Sequence, residues 1–187
     1  GPLEEIPCDR VDNDCDGSVD EDSPNLTKLV VGVDTSGSNH ELVAVAKQGF
    51  DSALSTIDLL CPCTTYTVIV FPRPESSWTE LVSEASLSVA LAQLATISSG
   101  AGALEVSYDI IHSYLSREFV IVLVAAEEGQ SVHNRTGASF SPAKDEVLVF
   151  TNEVASYDNF ATTEQLNDGS TVGPKTTSFV TSRCEAP

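Results

Sequence analysis

The chain has 187 residues, 41% of them apolar, enough to bury a real core in one domain with a small appendage. Its formal net charge is -19, from 9 basic and 28 acidic residues. Such a balance argues against nucleic acid and anionic membrane as partners, since both need a basic face, and it favours cations.

The first 22 residues hold nine carboxylates against Arg10 alone. Gly1-Pro2 is expected to be a cleavage scar on a fragment of a longer protein, with targeting signals outside the fragment. No run of 18 or more apolar residues appears, so no membrane span is expected in this chain. Within the arm, "CDRVDNDCDGSVDED" places Asp12, Asp14, Asp16 and Asp20 at loop positions 1, 3, 5 and 9. Gly17 stands at position 6, and Ser18 offers a backbone carbonyl at position 7. Alternating carboxylates that converge on one ion, with Gly for the sharp turn, suit Ca²⁺. Position 12 is Ser23 in place of a bidentate Glu, and no helical pattern precedes the loop, so this is not an EF-hand. The competing reading is a disordered acidic tail. The segment resembles the short Cys-bounded repeats C-D-x-x-D-N-D-C-D-G-x-x-D-E of metal-binding proteins from myxobacteria and related bacteria. It is also similar to single thrombospondin type 3 calcium loops. The expected module covers residues 3–24, with a linker around Ser23-Pro24.

From Lys28 the pattern changes, and a main domain is expected over residues 28–184. Residues 29–33 form a continuous apolar run, the mark of a strand buried on both faces of a parallel sheet. Ser38 with Glu41 makes a capping box, and Val43, Ala46, Phe50, Ala53, Leu54 and Ile57 recur at helical spacing, predicting a helix over residues 39–59. "TYTVIVF" at 65–71 predicts a second buried strand, and 87–95 a helix. After "SSGAGA", Ala103, Val106, Ile110 and Tyr114 recover helical spacing. "EFVIVLVA" and "DEVLVF" predict two further buried strands. Beyond Ala155 the chain is rich in Thr, Ser, Asn and Gly, and its pattern is weak. Strands alternating with helices mean an α/β fold with a doubly wound, mainly parallel central sheet. Sites in such sheets form at the carboxyl ends of strands, where "DTSGS" and "EEGQS" both lie.

The order "VVGVDTSGS", helix, "YTVIVF", a Gly-containing turn opening a helix, then "VIVLVAAEEGQS" resembles the von Willebrand factor A-type domain over roughly residues 28–152. Its sharpest motif is D-x-S-x-S, here Asp34, Ser36 and Ser38. The resemblance implies a divalent cation, Mg²⁺ with Mn²⁺ or Ca²⁺ as alternatives, at a metal-ion-dependent adhesion site. In that family the third loop reads G-G-T-x-T; here "ISSGAGALEV" puts Ser98, or alternatively Ser99, at the threonine position. The fourth loop reads T-D-G; here "EEGQS" puts Glu128 at the aspartate position. Both departures keep the donor type, although Glu reaches one methylene further. "SVHNRTGASFSPAKD" lies where the family carries a helix, and reads either as a loop beside the metal or as a solvated connection.

Catalysis is not expected. Aspartic proteases need a second D-T-G, which the chain lacks, and serine hydrolases need G-x-S-x-G where residues 34–38 read D-T-S-G-S. Capping alone would explain Ser38 and Glu41, but not Asp34 and Ser36. Arg73 in "FPRPESSW" reads as part of a turn, and Trp78 as a core or rim residue. The sequons at Asn25 and Asn134 matter only in a eukaryotic secreted protein.

Five cysteines, Cys8, Cys15, Cys61, Cys63 and Cys184, contain no C-x-x-C pair. They point to disulfides and an oxidising, extracellular or cell-surface setting in place of structural zinc. Cys8 and Cys15 are near enough to bridge within the arm, Cys184 can pair with Cys61 or Cys63, and one thiol is left over. The function these observations imply is adhesion or ligand binding, with the cation bridging to an acidic group on a protein partner. The alternative is a structural component of a secreted or surface assembly in which the metal only orders loops.

Overall fold

A computed structural model describes residues 8, 11–17, 27–37, 40–71, 78–100, 107–115, 117, 119–125 and 142–184. Ser18, Asp20, Ser38 and Glu128 lie outside these residues, as do Arg73, the sequon asparagines Asn25 and Asn134, and most of the segment 131–145.

The elements are β1 (Lys28–Asp34), α1 (His40–Leu60), β2 (Thr65–Phe71), β3 (Thr79–Ala85), α2 (Leu87–Thr96) and α3 (Ser107–Leu115). There follow β4 (Val120–Val124), β5 (Val147–Thr151), α4 (Val154–Tyr157), β6 (Thr162–Gln165) and α5 (Val172–Cys184). One six-stranded sheet runs in the order β3-β2-β1-β4-β5-β6. All pairs are parallel except β2 with β3. This is the doubly wound α/β architecture expected from the strand and helix alternation.

The continuous apolar runs are central strands for a physical reason. Every residue of β2 is buried, and so is every residue of β1 except Lys28. Side chains alternate across the pleat, so β1 feeds two separate cores. Leu29, Val31 and Val33 join Phe50, Leu54 and Ile57 of α1, Leu94 of α2 and Val180 of α5 on one face. Val30 joins Ile110, Ile111 and Tyr114 of α3 with Tyr157 and Phe160 on the other. Trp78 packs half-buried at the rim of this second core, in line with the rim reading.

Two disulfides tie the ends of the chain to the turn between α1 and β2. Cys61 pairs with Cys184 at the end of α5, and Cys8 pairs with Cys63. The Cys8–Cys15 bridge anticipated within the arm is therefore corrected: Cys8 reaches across 55 residues to the main domain, and Cys15 is the exposed free thiol. Proximity in sequence misled here, because Cys63 sits just before the first residue of β2, where the arm meets the fold.

Candidate metal centre

At the carboxyl end of β1 the chain turns sharply between two strands that lead to opposite faces of the sheet. β1 is flanked by β2, reached through α1 on one face, and by β4, whose preceding helix α3 packs on the other. The crevice between β1 and β4 is thus the switch point where open α/β sheets place ligands.

Asp34 is the last residue of β1 and is completely buried. Its Oδ1 accepts the Ser36 N–H at 2.8 Å, closing a short turn that fixes the loop beyond the strand. Ser36 is also buried, at 2% exposure, although a serine after a strand end is ordinarily solvated. Between them, Thr35 joins three segments. Its N–H and its Oγ1 both donate to Phe71 O at the end of β2, at 2.6 and 3.2 Å, and its own carbonyl accepts the Gly100 N–H at 2.9 Å. That last bond lays residues 97–100, with exposed Ser98 and half-buried Ser99, alongside the Asp34–Ser36 turn. Asp34, Ser36 and the hydroxyl-bearing third loop are therefore brought to one end of the sheet. The expected ligands Ser38 and Glu128 fall outside the described residues. Thr35 and Phe71 were not singled out in the sequence, since any residue satisfies the x of D-x-S-x-S.

The donors are hard oxygens, a carboxylate and neutral hydroxyls, which suit Mg²⁺, Mn²⁺ or Ca²⁺ and not the softer metals.

A second cluster stands in the acidic arm. Carboxylate oxygens of Asp12, Asp14 and Asp16 lie within 4.8 Å of one another. Two oxygens bound to one Ca²⁺ at its usual ligand distances can be no more than about 5 Å apart, so this spacing fits a single ion. The loop is organised by its own backbone. Asp16 N–H donates to Asp12 Oδ1 at 3.1 Å and to Asp14 Oδ1 at 3.0 Å, and Gly17 N–H to Asp12 Oδ2 at 2.9 Å. Gly17 has φ +100°, the conformation for which Gly was expected at that position. Ser18 and Asp20, the remaining expected donors, lie outside the described residues. Through Cys8–Cys63 the arm is anchored at the amino end of β2, at the opposite end of the sheet from Asp34.

No family model matches the sequence, and comparison with curated proteins finds no match. Solved structures do match. Proximal thread matrix protein 1 from the mussel byssus aligns over 86% of this chain and 46% of its own, at 13% identity and TM-score 0.53. Manganese-loaded TRAP protein of Plasmodium vivax aligns over 81% of this chain and 73% of its own, at 10% identity and TM-score 0.50. The chain shares their fold. It spans about half the length of the mussel protein, and at these identities the likeness extends to architecture alone.

Proposed function

We propose that the chain is an extracytoplasmic adhesion or ligand-binding domain of the von Willebrand factor A type. A divalent cation, held at an adhesion site by Asp34, Ser36, Ser38, Ser98 and Glu128, bridges to an acidic group on a protein partner. The observation that carries this reading is the buried Asp34–Ser36 turn at the switch point, with the third loop bonded to it through Thr35 and Gly100. Asp34 orients the turn, while neutral hydroxyls leave much of the ion's charge uncancelled. A carboxylate from a partner can then complete the shell. Support also comes from the shared fold with a protein whose structure is manganese-loaded. The two disulfides favour an oxidising compartment. No helix among the described residues is long and apolar enough to cross a membrane. The Asp12–Asp14–Asp16 loop serves as a separate structural Ca²⁺ site, and no catalytic step is assigned to either centre.

Titration calorimetry with Mg²⁺ and Mn²⁺ tests the adhesion site. Affinity is expected to fall sharply in Ser36→Ala and Asp34→Ala; equal affinities in wild type and both variants would refute the reading.

A second reading, a structural part of a secreted or surface assembly, is favoured by the fold shared with a byssus matrix protein. In it Glu128 closes the shell and the ion only orders loops. Acidic peptides separate the two: metal-dependent binding of such a peptide supports adhesion, and its absence in the metal-loaded protein supports the structural role.

A further inference from the structure

Lys47 lies two turns into α1, half-buried in a groove against the last turn of α2 that Ala44, Gln48, Asp51, Leu94 and Ala95 also line. Its Nζ donates to Ala95 O at 3.0 Å and to Ile97 O at 2.7 Å. These are carbonyls at the end of α2, where the helix leaves acceptors without an internal partner and its dipole is negative. An ammonium there is therefore held by charge-assisted bonds. Its position has a consequence beyond capping. Ile97, buried at 4% exposure, is the residue directly before Ser98, and three residues later Gly100 bonds to Thr35. Residues 98 and 99 are thus clamped at both ends, by Lys47 on one side and by the Asp34–Ser36 turn on the other. Lys47 belongs to the helix that follows the first metal loop, so it couples the first loop to the third.

We propose that Lys47 is a positioning residue that holds the hydroxyls of Ser98 and Ser99 at the candidate cation site, an assignment that rests on the metal-site reading above. Without the ammonium, the exit of α2 loses its anchor, and the third loop no longer returns to the same place beside Thr35.

The test is calorimetric titration of Mn²⁺ into the full chain carrying Asp12→Ala and Asp14→Ala, so that the arm does not compete for the ion. Lys47→Met keeps the aliphatic stem in the groove and removes the charge. It is expected to weaken Mn²⁺ binding roughly tenfold, the lower end of what a charge-assisted hydrogen bond contributes. Lys47→Arg, which can still donate to both carbonyls, is expected to stay within about twofold of the parent. In a background of Ser98→Ala with Ser99→Ala, Lys47→Met is expected to cause no further loss, because its effect passes through those hydroxyls. A merely structural lysine would instead weaken binding by the same factor in both backgrounds, and that result overturns the assignment. Parent-like affinity in Lys47→Met, alongside weakened Ser36→Ala, overturns it too while leaving the metal site standing. Parent-like affinity in Ser36→Ala overturns the metal site and the role of Lys47 with it. Lys47→Gln, which keeps a neutral amide donor but not the charge, replaces the methionine variant if circular dichroism shows that the latter does not fold.

Discussion

Two polar side chains deep in the sheet carry very different chemistry. Tyr66, near the start of β2, is fully buried and its hydroxyl donates to Asp58 Oδ1 at 3.0 Å. Burial and then the Asp58 carboxylate push its pKa well above the ordinary phenol value, and burial followed by Glu80 does the same for Tyr114. Because the folded pKa lies above the unfolded one, this contribution is complete below about pH 10 and is lost as pH rises toward the folded value. Alkaline titration followed at the phenolate absorbance should show Tyr66 and Tyr114 ionising together with unfolding; ionisation near pH 10 in a still-folded chain would contradict it. Asp34 is equally buried, but its carboxylate faces the strand end and shapes a turn through Ser36. That pair was legible in the sequence because D-x-S-x-S is contiguous. Thr35, Lys47 and the bond from Gly100 were not. Their roles arise from contacts between distant segments, which leave no local spacing to read.

Among the elements, β1, α1, β2, α2, α3, β4 and β5 were legible because burial on both faces, or on one helical stripe, writes itself as an apolar run or a 3.6-residue period. The rest escaped for identifiable reasons. β3 is a partly exposed antiparallel edge strand whose alternation is broken by register shifts against β2, with Glu84 at φ +43°. β6 is a four-residue edge strand of polar residues. α5 contains Gly, Pro and several Thr and Ser, poor helix formers that tertiary packing overrides. Pro174 sits in the first turn, where its missing N–H costs nothing. α5 is held by close approach to α1: a Cβ on Gly49 would lie 2.7 Å from Val172 Cβ and 3.0 Å from Gly173 N. Overpacking of that kind costs roughly 1–3 kcal/mol, while alanine regains about 1 kcal/mol of helix propensity. The clash meets backbone and a Cβ, not a flexible side-chain tip, which puts the cost in the upper half of that range, so Gly49→Ala should lower unfolding stability in urea by about 1–2 kcal/mol. A variant as stable as the parent would show that the helices separate freely.

In the whole molecule, the disulfides and the two candidate cation sites are divided between the two ends of the sheet. The Cys61–Cys184 disulfide spans 123 residues and pins α5, the element with the weakest intrinsic preference. Replacing both cysteines by serine should cost roughly 2–5 kcal/mol, read by chemical denaturation, whereas Cys15→Ser, at an exposed thiol, should change little. Equal stability of the paired variant and the parent would contradict that. The same disulfide-bonded end carries the acidic arm, while Asp34 stands at the other, about 20 Å away along a seven-residue strand. Under the proposed function, this separation lets one centre serve the arm's own order and leaves the other open to a partner. The pairing of Cys8 with Cys63 was not legible, since it is decided by where the arm meets the fold. The proposed function requires the turn at Asp34 and Ser36 to hold a cation whose shell a partner carboxylate completes. Anomalous diffraction from crystals soaked in Mn²⁺ with an acidic peptide tests it most directly. A manganese peak bonded to Ser36 Oγ, with a peptide carboxylate oxygen on the ion, is expected. A peak at Asp12, Asp14 and Asp16 with none at Ser36 would contradict it.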